Sequence, residues 1–222
     1  MTTTRPVRAL LFDLDGTLMD SETQTDEAIS LVTARHGIPG FALPHTETRG
    51  RTWTHIADTI RTRTGLRLEA RKLADELLEC WKEVTVDVKP VPGSPAALRA
   101  AAACGLKIGV VSSSPRSVIN TFLGKLGVSD CVSPQARIGA DAIRNGKPDP
   151  EGFLLGARRL GVEPADTVVF EDSQAGLLAA KAAGMRSVFI SCCASDVAAN
   201  AALATASTTD YRALPPGFWA GL

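Results

Sequence analysis

One pattern constrains this fold more than any other feature. From about residue 90 onward the chain repeats helix, glycine, short apolar run, polar turn, helix. Gly93-Ser94-Pro95 offers an N-cap with proline at the first helical position, and Ala96 to Cys104 reads as a helix ended by Gly105. Lys107 to Val111 follows as a short apolar strand. Ser114-Pro115 opens a second helix, with Val118, Ile119, Phe122, Leu123 and Leu126 at helical spacing and Gly127 at its end. Asp149-Pro150 opens a third, closed by Gly161. Thr167 to Phe170 reads as a strand, Ser173 to Ala183 as a helix closed by Gly184, and Arg186 to Ile190 as a further strand. Val7 to Phe12 is the same kind of strand at the front. Apolar strands alternating with helices predict an α/β fold, a parallel sheet covered on both faces.

Residues 20 to 88 break the pattern. Ser21 and Gln24 have the spacing of a capping box before a helix carrying Ala28, Ile29, Leu31 and Val32, with Gly37 as its stop. A second helix is predicted from Trp53 to Arg63. A third, from Glu69 to about Val84, aligns Leu73, Leu77, Cys80, Trp81 and Val84 on one face, so Trp81 is expected in the core. No strand of similar clarity occurs here, so a helical insert separates the first strand from the rest. The Ala-rich stretch Val197–Ala206 reads as a helix.

A chain of 222 residues suits one domain with a modest insertion, and it can bury about 70% of its unfolded surface without disulfides or a structural metal. Its 24 basic and 24 acidic residues balance, which argues against a nucleic-acid partner. The run VRALLF ends at two aspartates, too short for a signal peptide or a membrane span. The five cysteines include no C-x-x-C pair, and Cys192 and Cys193 are adjacent. With His36, His45 and His55 remote from any cysteine pair, a zinc site is not expected. A reduced cytoplasmic protein, monomeric or homodimeric, is expected.

In a parallel sheet with right-handed crossovers the C-terminal strand ends share one edge, where ligands bind. Asp13 and Asp15 follow the first strand in LLFDLDGTL, and Ser112-Ser113-Ser114 follow the second. Glu171 and Asp172 follow the strand VVF, and Lys147 in NGKPDPEGF precedes a proline-started helix. Carboxylates gathered so closely repel unless a hard cation neutralises them, and an oxygen-only donor set points to Mg²⁺. One aspartate could then attack phosphorus while the other protonates the leaving oxygen and later activates water. The Ser112 hydroxyl, the backbone N–H groups of Ser113 and Ser114, and the Lys147 ammonium could hold the phosphoryl oxygens.

Phe12-Asp13-Leu14-Asp15-Gly16-Thr17, Val110-Val111-Ser112, Lys147 and Phe170-Glu171-Asp172-Ser173-Gln174-Ala175-Gly176 stand in order along the chain. Together they resemble the four motifs of the haloacid dehalogenase superfamily of phosphohydrolases and phosphomutases, over nearly the whole length. The resemblance implies a Rossmann-like three-layer core over 1–19 and 89–222. It also implies a small all-helical cap over 20–88, of the kind in the subgroup containing β-phosphoglucomutase and sugar-phosphate phosphatases. By the same resemblance Asp13 is the nucleophile and Asp15 the acid/base. Asp13, the Asp15 carbonyl and Asp172 would hold Mg²⁺, with Glu171 near or in that shell. The cap would hinge near Asp20–Ser21 and Lys89–Gly93.

The resemblance also separates activities. Dehalogenases of this type lack the acid/base aspartate that Asp15 supplies here. Mutases carry a histidine where this chain has Thr25 and a phosphate-binding arginine where it has Trp53, although Arg49 or Arg51 could substitute. The expectation is therefore an Mg²⁺-dependent phosphatase acting on a small sugar or polyol phosphate, with a mutase and a non-catalytic phosphometabolite sensor as alternatives. Arg49, Trp53, Ser113, Ser114 and Arg116 are the further candidates for phosphate or substrate contact.

Overall fold

Six parallel strands form one sheet in the computed structural model, which describes residues 6–221. Residues 1–5 and 222, included in the expected core, lie outside the described residues. The strands are β1 (Ala9–Phe12), β2 (Lys107–Val111), β3 (Arg137–Ile138), β4 (Thr167–Glu171), β5 (Arg186–Ile190) and β6 (Ala206–Thr208). Their spatial order is β3-β2-β1-β4-β5-β6. The chain thus reverses its direction of travel across the sheet beside β1, and the crevice at such a reversal is where open α/β sheets bind ligands. Register does the rest. Phe12 lies opposite both Val110 and Phe170, so Asp13 emerges level with Val111 and Glu171.

Four helices intervene between β1 and β2 before the core resumes: α1 (Glu22–Arg35), α2 (His45–Thr48), α3 (Trp53–Thr64) and α4 (Ala70–Val84). The core helices are α5 (Ser94–Ala103), α6 (Arg116–Lys125), α7 (Glu151–Leu160), α8 (Gln174–Ala182) and α9 (Val197–Leu203). Strand alternation divides the apolar residues between the two faces. Leu10, Phe12, Val110 and Phe170 pack with Leu98 of α5 and Ile119 and Phe122 of α6. Ala9, Leu11, Val111 and Val169 pack with Phe153 and Leu160 of α7 and Ala179 and Ala180 of α8. The insert joins the first of these cores through Trp81, whose ring lies 5.8 Å from Trp53 and 5.6 Å from Phe122. Trp81 is buried, but its indole Nε1 has no hydrogen-bond partner.

The two segments that connect insert and core run side by side. Asp20 N–H donates to the Lys89 carbonyl at 2.9 Å, and Val91 N–H donates to Leu18 at 3.0 Å. Met19 and Pro90 form an antiparallel bridge between them.

Several local expectations change. The capping box of Ser21 and Gln24 does not form, because the Ser21 hydroxyl donates instead to Asp15 Oδ1 at 2.6 Å. A hydrogen bond to a carboxylate is stronger than one between neutral groups at a helix cap. Ser94 does not cap α5 either, since its hydroxyl donates to the Leu18 carbonyl at 2.9 Å and Gly93 takes the cap position. The Val197–Ala206 helix ends at Leu203, and Ala206 begins β6, paired with β5. Strands β3 and β6, two and three residues long, are too short to show an alternation in sequence.

Candidate active site

The two adjacent central strands, β1 and β4, deliver the carboxylates. Asp13 N–H still donates to the Phe170 carbonyl at 2.9 Å, which extends the sheet register into the site. The buried Lys147 ammonium bridges the carboxylates of Asp13 and Glu171. The other Glu171 oxygen accepts from the backbone N–H groups of Asp172 and Ser173, at 3.0 and 2.9 Å, and from the Ser173 hydroxyl at 2.9 Å. Ser173 also caps α8, accepting from Gly176 N–H at 3.1 Å. Asp172 Oδ1 accepts from the Thr17 hydroxyl at 3.1 Å, while its Oδ2 is buried with no partner.

Electrostatics follow from this crowding. Burial pushes the Asp13 carboxyl well above the usual range, with Glu171 and Asp15 adding to the rise and Lys147 opposing it. Burial likewise raises Asp172, reinforced by Glu22, Glu171 and Asp13. Burial alone would lower the Lys147 pKa, but Asp13 and Glu171 outweigh it and raise the value. The ligand atoms of Asp13, Glu171 and Asp172 lie within 4.8 Å of one another. Three hard oxygen donors, one of them an orphaned buried oxygen, fit a hard divalent cation such as Mg²⁺.

Asp15 differs from Asp13 in its surroundings. Its Oδ1 accepts from Ser21 and its Oδ2 from Ser114 at 3.4 Å, with Ser112 Oγ at 3.5 Å. Burial raises its pKa and the hydroxyl from Ser21 holds it back. Both aspartates face a cavity lined also by Glu22, Thr25, Thr48, Arg51, Trp53 and Trp81.

The remaining expected contacts divide. Ser112 and Ser114 reach the site through Asp15, but Ser114 N–H is taken by Ser112 Oγ at 3.0 Å. The Ser113 hydroxyl donates to the Gly50 carbonyl at 2.8 Å and so ties the core to the insert. Trp53 faces the cavity. Arg49 does not line it: its guanidinium donates to the Cys193 carbonyl at 2.6 Å and faces Glu22 at 3.4 Å. Arg116 also turns away, donating to the Pro134 carbonyl at 2.6 Å while its backbone N–H binds Asp141. Each guanidinium gives a donor to a backbone carbonyl outside the cavity. Arg51 is the cation of the cavity wall, donating to the Lys147 carbonyl at 3.2 Å. Glu22 escapes sequence reasoning, since in one dimension it reads as an ordinary first-turn residue, and Thr17 and Ser173 stand inside the quoted motifs without a role of their own.

Two expected results arise here. Gly16 has φ +77°, and a Cβ built on it would sit 2.1 Å from Asp172 Oδ2. Gly37 has a similar φ of +79° with open space around it. Calorimetry on both alanine variants should show a shared strain cost of about 1–2 kcal/mol. Gly16→Ala should add a further loss from displacing Asp172; equal losses would mean the contact is relieved without cost.

Glu22 is buried at the start of α1, and burial raises its carboxyl from 4.5 to about 8, opposed by Arg49 and supported by Asp15, Asp26 and Glu171. A group held protonated in the fold costs stability as pH rises from its unfolded pKa toward its folded one. In chelator, Glu22→Gln should therefore gain Tm relative to the parent protein at pH 8 and converge with it at pH 5. A constant difference across that range would show that Glu22 is already ionised in the fold.

Comparison with known proteins identifies the class. The family profile of haloacid dehalogenase-like hydrolases matches residues 7–184, and the chain belongs to that family of enzymes. It is 35% identical over 195 residues to validoxylamine A 7'-phosphate phosphatase of Streptomyces hygroscopicus subsp. limoneus, covering 80% of this chain and 83% of the relative. It is 32% identical over 191 residues to the phosphorylated carbohydrates phosphatase of Thermotoga maritima, covering 82% and 84%. The fold matches a family IA, variant 3 HAD hydrolase from Entamoeba histolytica with TM-score 0.83 at 21% identity, covering 97% of this chain and 98% of the other.

Proposed function

We propose that this enzyme is a phosphatase that hydrolyses a small sugar or polyol phosphate through an aspartyl-phosphate at Asp13, with Mg²⁺ as cofactor. The observation that carries this reading is the contrast between two aspartates on one cavity. Asp13 lies against Lys147 in the acidic cluster, whereas Asp15 is held only by hydroxyls. The first environment suits a carboxylate aligned for attack, and the second suits a group that gives and takes a proton.

In the first step an Asp13 oxygen attacks phosphorus, and the ester oxygen departs with the proton of Asp15. In the second, water attacks the aspartyl-phosphate while Asp15 takes its proton back, which releases phosphate and restores Asp13. The Lys147 ammonium and the Ser112 hydroxyl offset charge on the phosphoryl oxygens. Mg²⁺, held by Asp13, Asp172 and Glu171, with the Asp15 carbonyl nearby, would supply charge neutralisation and orientation of the phosphoryl group. The helices α1–α4, residues 20–88, act as a cap that excludes water and shapes the leaving-group site.

The cavity supports a polyhydroxylated leaving group. Trp53 and Trp81 offer an apolar wall for a ring or carbon chain, while Thr25, Thr48 and Glu22 offer hydroxyl partners. The two named phosphatases support the same class.

The test is phosphate release from a panel of sugar, polyol, nucleotide and amino-acid phosphates, with Mg²⁺ or with chelator. Metal-dependent release, greatest with sugar or polyol esters, is expected. Isomerised phosphate esters formed with a bisphosphate activator would replace this reading with a mutase, and tight binding without turnover would replace it with a sensor.

A further inference from the structure

A pair of nucleophiles outside the phosphoryl site lies at the same sheet edge. Cys192 and Cys193 follow β5, and their sulfurs are 3.3 Å apart. Cys192 is exposed and Cys193 half-buried. The backbone around them is pinned to the strand beyond: Ser191 N–H donates to Thr208 at 3.0 Å and Cys192 N–H to Thr209 at 2.9 Å.

Cys193 also touches the helical insert. Its carbonyl accepts from Arg49 Nη1 at 2.6 Å. Arg49 in turn faces Glu22 and adjoins Gly50, whose carbonyl binds Ser113. One residue of the pair therefore anchors the loop that carries Arg51 and Trp53 to the cavity.

We infer that Cys192 and Cys193 form a thiol–disulfide modification site, closed by a small-molecule disulfide, whose closure releases Arg49 and loosens the loop between α2 and α3. Cys192 is the attacking sulfur, since solvent reaches it and the neighbouring thiol stabilises its thiolate. The thiolate breaks the S–S bond of the small disulfide, expels one thiolate and leaves a mixed disulfide on Cys192. The Cys193 sulfur, its proton passing to solvent, then attacks the Cys192 sulfur and expels the second small thiolate. Two protein thiols are oxidised to one disulfide, and the small disulfide is reduced to two thiols. Bonding draws the sulfurs from 3.3 Å to about 2.05 Å. The ring closed between adjacent residues turns the backbone, and the Cys193 carbonyl moves off Arg49.

The experiment treats the protein, with Cys104→Ser and Cys131→Ser removing the other accessible thiols, with glutathione disulfide. The tryptic peptide from Ser187 to Arg212 is then weighed. The expected result is a bridge within that peptide, about 2 Da lighter than the dithiol form, reversed by dithiothreitol. Native trypsin digestion after Arg49 and Arg51 should quicken at least about threefold in the bridged form, with other sites unchanged. Cys192→Ser should show neither effect, and Cys193→Ser should stop at a mixed disulfide. No reaction, a persistent glutathione adduct in the protein with both thiols, or a bridge that leaves digestion unchanged would each overturn the inference. Both readouts are independent of phosphatase activity, so their failure leaves the proposed function standing, and the reverse also holds.

Discussion

Asp13→Asn should abolish metal-dependent phosphate release, by at least about 10⁴-fold in kcat, without loss of the fold. Removing a group that acts as one unit with its partners typically costs this much or more. Asn keeps the size of Asp but offers no carboxylate to attack phosphorus. The stability side of the prediction follows from the crowding. Asp13 is buried, and burial with Glu171 and Asp15 disfavours its charge. Lys147 would still face Glu171 in the variant. Thermal denaturation in chelator should therefore show a Tm no lower than that of the parent by more than a few degrees, while activity in Mg²⁺ vanishes. Retained turnover in a folded Asp13→Asn protein would place the nucleophile elsewhere.

The largest stability effect is expected for Lys147→Met in chelator. Methionine keeps the apolar stem but gives up the ammonium, which lies 5.3 Å from the centre of the Phe153 ring. It removes the positive charge that bridges Asp13 and Glu171 inside the fold. Breaking a buried ion pair by deleting one partner leaves an uncompensated charge and costs about 3–5 kcal/mol. Saturating Mg²⁺ should recover a large part of that loss, because Asp13 and Glu171, together with Asp172, can be neutralised by a cation. Chemical denaturation with and without Mg²⁺ measures both quantities. A loss unchanged by Mg²⁺ would show that the acidic cluster does not take up the cation.

Strand and helix order in the core was legible because a glycine ends the helix before each of three strands, Gly105 before β2, Gly161 before β4 and Gly184 before β5, a signal carried within a few residues. The sheet edge was legible for the same reason. Asp13, Ser112 and Asp172 stand at or just beyond strand ends, and a parallel topology brings such ends together. Arg49 and Arg116 show the limit of that reasoning. Both are basic residues near motif positions, and both turn their guanidinium groups to backbone carbonyls away from the cavity. Which acceptor a long side chain reaches depends on segments more than a hundred residues away in the case of Arg49 and Cys193. Ser21 shows the same competition at short range, since its hydroxyl had a cap available in sequence and took Asp15 in space.

By itself the sequence determined the α/β rhythm, the helical insert and the set of carboxylates, hydroxyls and lysine that meet at one edge, because these rest on periodicity and on local stop signals. Only the tertiary structure decided the short flanking strands, the burial of Glu22 and the orphaned oxygen of Asp172. It alone turned Arg49 toward Cys193 and set Trp53 beside Trp81 on the cavity wall. Those features depend on which partner wins a hydrogen bond or a burial site across the fold, and that competition is settled by distance in space.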